Sequence, residues 1–128
     1  MQQVHFNPQG APLSVNIKYE SNHGQNLFTT YTYTLWSATD NGIINKHTGN
    51  NFNDEDDTYG LPTPVQNNNN RIVDVFSTLK NVGEEDINVR VIVEVLQGAE
   101  KIGSSTDKKS MNAKSTAFSQ LFIKLTTI

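Results

Sequence analysis

From residue 87 to 96 the chain alternates. Ile87, Val89, Val91, Val93 and Val95 occupy one parity, and Asn88, Arg90 and Glu94 the other, with Ile92 and Leu96 as apolar exceptions. A period of two sends successive side chains to opposite faces, which predicts a half-buried β-strand, and the apolar excess predicts a central one. Residues 71–79 and 117–126 read the same way. In the latter, Leu121, Ile123 and Leu125 share one face and Phe118 and Phe122 the other. A strand apolar on both sides is expected between layers or at a subunit contact.

The first half carries the same period. Leu13, Val15, Ile17 and Tyr19 alternate with Ser14, Asn16 and Lys18, which predicts the first strand at 13–19, led in by an extended segment bearing Pro8 and Pro12. Residues 27–37 form the second. Tyr31, Tyr33 and Leu35 share one face, and Thr30, Thr32, Thr34 and Trp36 the other. Asp40-Asn41-Gly42 predicts a type I′ hairpin, because both central residues of that turn need positive φ, and the return strand is then 43–48. Residues 97–100 read as a tight turn into a short strand at 101–104, and 105–115 as a polar, lysine-bearing loop. No segment holds a helical period, and there is no internal repeat. The expectation is an all-β, single-domain antiparallel β-sandwich over residues 1–128, jelly-roll or immunoglobulin-like, of six to eight strands. A barrel is the alternative closure.

Composition narrows the function classes. The chain has no cysteine and a formal charge of −3 over 128 residues, which argues against a phosphate-backbone binder and predicts no nucleic-acid partner. No apolar run approaches the roughly 20 residues of a membrane span. Residues 1–12 lack the basic start and apolar centre of a signal peptide, so the compartment is open between the cytoplasm and a mature secreted form. Asn, Thr and Ser are abundant and charge is sparse, a surface common on sugar-facing β-proteins.

The long irregular stretch 49–70 is the most distinctive region, since structureless loops above about 12–15 residues are uncommon and often functional. A short edge strand near 58–61 would divide it. Its acidic run invites calcium, a hard cation that takes clustered oxygen ligands. Asp54, Asp56 and Asp57 are the candidate ligands. The helix-loop-helix calcium template fails, however: Tyr59 stands where glycine is needed and Val65 where the closing glutamate belongs. His5, His23 and His47 lack the close spacing of a zinc site. There is no nucleophile motif, no possible cysteine nucleophile and no glycine-rich phosphate loop, and the expectation is a protein that is not an enzyme.

Binding then becomes the leading expectation. Trp36, Asn51, Asn53 and Tyr59 are the candidate ligand-binding residues: aromatic planes stack on the C–H faces of sugar rings, and Asn side chains bond hydroxyls. The chain is expected to be a non-catalytic, lectin-like carbohydrate-binding module, with calcium as an optional aid through the 50–59 loop and a glycan as partner. The alternative is a structural or assembly subunit of a particle, fibre or surface layer. A homo-oligomer suits both. A membrane-active β-protein ranks below these, since no amphipathic segment supports it.

Overall fold

The computed structural model describes residues 1–52 and 57–128. Within them lie nine strands: β1 (Gln2–Phe6), β2 (Leu13–Ser21), β3 (Leu27–Trp36), β4 (Ile43–Asn50), β5 (Asp57–Gly60), β6 (Ile72–Asn81), β7 (Ile87–Gln97), β8 (Glu100–Met111) and β9 (Thr116–Thr127). They form two sheets, a five-stranded one ordered β1-β9-β6-β3-β4 and a four-stranded one ordered β5-β2-β7-β8. The pairs are antiparallel except β1 with β9. The sheets pack face to face as a β-sandwich.

The alternation sets which side is core. Val93 and Val95 of β7 lie beside Ile17 and Val15 of β2 on the inner side of their sheet, and Tyr33, Leu35, Val73, Val75, Ile123 and Leu125 pack in the same core cluster from the other sheet. Burying each such side chain contributes about 1.5–3 kcal/mol. A second cluster, Leu27, Leu79, Ile87, Val89, Val91 and Met111, continues the core toward one end, joined to the first through Tyr19 and Leu121.

Four features depart from the sequence reading. First, the N-terminal segment is a strand, not a lead-in. Val4 and Phe6 are core residues of β1, and its partner β9 lies at the far end of the chain, a pairing no local pattern reveals. Second, β8 runs on to Met111, absorbing most of the expected 105–115 loop. It carries Ser105, Asp107 and Lys109 on its inner side, where Ser119 Oγ bonds Asp107 Oδ2 at 2.7 Å, so an edge strand with polar inner residues hid from a hydrophobic test. β1 is the addition that carries the count to nine, past the expected six to eight, whereas β8 lengthens the strand expected at 101–104. Third, the β3–β4 connection is not a type I′ turn. Asn41 alone has positive φ, 57°, and Ser37 N–H closes the loop on Gly42 C=O at 2.7 Å. Fourth, β9 is not sandwiched on both sides. Phe118 and Phe122 point outward and are exposed.

The two lateral sides of the sandwich differ. On one, β8 folds over β1: a Cβ on Gly103 would lie 2.5 Å from Val4 Cγ2, so only glycine lets the strands approach this closely. The β7–β8 turn that permits it holds Gly98 at φ +62°. On the other side lie β4 and β5, each at the edge of its sheet, spanned by aromatic rings. The expected edge strand at 58–61 is β5.

Candidate functional site

The outer face of the five-stranded sheet is the most unusual surface of the molecule. Register puts Phe28, Thr30, Thr32, Thr34 and Trp36 of β3 outward, beside Ile72, Asp74, Phe76, Thr78 and Lys80 of β6 and Phe118, Gln120, Phe122 and Lys124 of β9. Thr48 and Lys46 extend it onto β4. β-branched and aromatic residues are what a pleated surface selects, but here the aromatics face solvent: Phe118 is 57 % exposed, Phe28 47 % and Phe76 41 %. Phe76 and Phe118 stack across β6 and β9 with ring centroids 6.0 Å apart, and Phe28 meets Phe52 edge-on at 5.5 Å.

One polar relay crosses this face. Trp36 Nε1–H donates to Asp74 Oδ2 at 3.0 Å, and Gln120 Nε2–H donates to Asp74 Oδ1 at 3.0 Å. Asp74 is almost buried, so both carboxylate oxygens are committed. The consequence is mechanical: the indole is tethered to β6 and cannot swing freely, which lowers the entropy lost when anything stacks on it. Between the relay and the Phe28–Phe52 pair lies a shallow depression of about 430 Å³, lined by Thr30, Thr32, Thr48, Asn50, Phe76 and Thr78 among others. The hydroxyls of Thr30, Thr32, Thr48 and Thr78 have no hydrogen-bond partner among the described residues. Each can donate once and accept twice. A larger hollow, about 580 Å³, lies on the opposite sheet between Glu20, Asn88, Arg90 and Lys108. No aromatic lines it, and Arg90 is already paired with Glu20.

Among the described residues, the predicted site residues Trp36, Asn51 and Tyr59 lie apart. Trp36 lies on the outer face just described, half-buried. Tyr59 lies instead on the lateral side between β4 and β5. It stacks on His47 with centroids 4.6 Å apart, packs tilted against Tyr33 at 5.3 Å, and its hydroxyl bonds that of Tyr31 at 2.6 Å. Tyr31 Oη–H also donates to the Asp57 carboxylate. This aromatic group fills the side of the sandwich that β8 and β1 close elsewhere. Burial first, and then the bonds to Asp57 and Tyr59, push the Tyr31 phenol far above its ordinary range; burial does the same for Tyr19 and Tyr33. Two buried hydroxyls, Tyr33 Oη and Thr29 Oγ1, have no hydrogen-bond partner among the described residues.

Asn51 is occupied by the fold. Its Oδ1 accepts from Thr29 N–H at 2.7 Å and its Nδ2 donates to Leu27 C=O at 2.9 Å, so the side chain extends the sheet in place of a backbone. Asn53, Asp54 and Asp56 lie outside the described residues, and the carboxylate of Asp57 faces Tyr31. Among the described residues no three His, Asp or Glu side chains converge as metal ligands, and no helix is long and apolar enough to cross a membrane. Sequence reasoning missed Asp74, Gln120 and Phe76. Phe118 was legible as lying on the face opposite Leu121, but the neighbours that make an open surface of that face come from β6 and β3, far apart in the chain.

Comparison with known protein families, with curated proteins and with solved structures finds no match for this chain.

Proposed function

We propose that this protein is a non-catalytic carbohydrate-binding module whose recognition surface is the outer face of the five-stranded sheet. The observation that carries the reading is the tethered indole of Trp36, held by Asp74 and Gln120, on a face with threonine hydroxyls that have no partner among the described residues and with exposed phenylalanine rings. A sugar ring offers an apolar C–H face and a rim of hydroxyls. A flat aromatic takes the first, and Thr, Gln and Asn side chains take the second. The site moves from the 50–59 loop to the sheet face, with Trp36 the one predicted residue they share. An open, shallow face leaves much of a ligand in water, so affinities of micromolar to millimolar are expected, on the order of −4 to −8 kcal/mol.

A panel of neutral and acidic oligosaccharides tests this by thermal melting and by quenching of Trp36, the chain's single tryptophan. A ligand that binds the native state raises the melting temperature with concentration. Phe76→Ala and Phe118→Ala, at exposed positions, should weaken that ligand about tenfold each while leaving the fold intact. A Ca²⁺ and EDTA arm reads any contribution of Asp54, Asp56 and Asp57. No response from any saccharide would end the carbohydrate reading.

A second reading, self-assembly through the same face, is favoured by the stacked Phe76–Phe118 pair and the adjoining Phe122, all exposed. Sedimentation velocity decides it: association that Phe118→Ser abolishes supports it, and a monomer at high concentration opposes it.

A further inference from the structure

We infer that the glycan bound on this face is an acidic polysaccharide, one carrying uronic-acid carboxylates, rather than a neutral one. The inference rests on the carbohydrate reading and deepens it.

Charge is unevenly distributed over the molecule. The chain holds 13 acidic and 10 basic residues, so a surface taken at random should be slightly negative. The outer face of the five-stranded sheet is not. Its outward ionisable positions are Lys46, Lys80, Lys124, His5 and Asp74. The one acid among them, Asp74, is nearly buried and has both oxygens occupied by Trp36 and Gln120. His5 is bonded through Nδ1 to Thr126. The three lysines make no ion pair among the described residues, whereas on the other sheet Lys18 and Lys101 share Glu94, and Arg90 takes Glu20. Among the described residues, the outward strand positions of this face therefore carry free charge only as lysine ammonium groups.

The lysines also frame the face. Lys46 lies on edge strand β4, Lys124 on β9 in register with Ile72, and Lys80 at the opposite end of β6. From Ile72 to Lys80 is about 26 Å at roughly 3.3 Å per residue. A ligand that engages two of them while stacking on Trp36 or the Phe76–Phe118 pair must be a chain of several sugars with carboxylates along its length. Solvent-exposed ammonium–carboxylate pairs are individually weak, and three together strengthen binding about tenfold at low salt.

The test is isothermal titration of the intact protein with galacturonic-acid hexamer and with the same hexamer methyl-esterified, in EDTA. The two ligands share size and stereochemistry and differ in charge. The acid form is expected to bind about tenfold tighter, with the advantage shrinking as salt shortens the reach of exposed charges. The triple variant K46Q/K80Q/K124Q should lose that advantage and still bind the ester. Equal or tighter binding of the ester overturns the inference and leaves the carbohydrate reading standing, as does an acid preference that survives the triple variant. Failure of both hexamers and of the wider saccharide panel overturns both. Oligothymidylate and anionic phospholipid vesicles run alongside, and binding to either in place of the acidic hexamer assigns the lysines to another anion and overturns the inference.

Discussion

Asp74→Asn isolates the device on which the candidate site depends. The native carboxylate accepts two N–H donors, Trp36 Nε1 and Gln120 Nε2, at 3.0 Å each, in a position only 9 % exposed. Asparagine has nearly the same shape but one acceptor oxygen. Whichever way the amide turns, one donor meets an NH₂ group. A hydrogen bond to a charged group contributes about 1.5–3 kcal/mol, and leaving a buried donor unpaired costs about 1–3 kcal/mol. Opposing this, the neutral amide escapes part of the cost of holding a charge away from water. The donor clash outweighs that relief, because the carboxylate's lone pairs are already matched, and the net loss is roughly 2 kcal/mol. For a domain of this length that lowers the melting temperature by roughly 6–10 °C. Urea unfolding followed by Trp36 fluorescence measures it. The cause is checked by repeating the substitution on a Gln120→Ala background. With one donor gone, asparagine can satisfy the other, and Asp74→Asn should cost about 1 kcal/mol less there. A variant within 0.5 kcal/mol of wild type, or an undiminished cost on the second background, would refute the reasoning.

Three further expectations follow from the aromatic side of the sandwich. Tyr31→Phe removes a hydroxyl bonded to Asp57 and Tyr59 and should cost about 2 kcal/mol, whereas Tyr33→Phe removes one with no partner among the described residues and should be neutral or stabilising by up to about 1 kcal/mol; equal losses in chemical denaturation would contradict the hydrogen-bond assignment. Gly49→Ala would place a Cβ 2.3 Å from Tyr31 Oη and should cost about 2–3 kcal/mol by overpacking, while Gly60→Ala meets nothing within 4 Å and should stay within about 0.5 kcal/mol of wild type. Tyr19, Tyr31 and Tyr33 all have phenols raised above the ordinary 10.0 in the fold. Below pH 10 both states are neutral and stability is unaffected. Above it the unfolded chain ionises first, so each such group drains about 1.4 kcal/mol per pH unit. Tyrosinate absorbance should appear together with loss of secondary structure, and ionisation of these phenols in a still-folded protein would count against the burial described.

Where a strand buries one face and shows the other to water, the sequence was readable. The valines of β7, the Tyr31–Tyr33–Leu35 face of β3 and the Leu13–Tyr19 alternation of β2 all announce their inward sides. What stayed hidden follows from two physical facts. Strand pairing is non-local: β1 lies parallel to β9 at the other end of the chain, and nothing near Val4 and Phe6 indicates that partner. The hydrophobic period also fails where an edge strand carries polar residues inward, as β8 does with Ser105, Asp107 and Lys109. The site was harder still. Trp36 stood out as a lone indole on a threonine face, but Asp74 and Gln120, which hold it, are remote in sequence. Asn51 and Tyr59 looked like ligand residues because amides and phenols bind sugars well. The same chemistry serves the fold, with Asn51 continuing a backbone ladder and Tyr59 packing on His47.

The most direct test of the account is a nitrogen-15 NMR titration of the labelled protein with the oligosaccharide that stabilises it most. The Trp36 indole signal and the amides of Thr32, Phe76, Phe118 and Gln120 should move together and saturate with one binding constant. Shifts confined to Glu20, Arg90 and Lys108 on the opposite sheet, or to Asp57–Gly60 at the lateral edge, would contradict it.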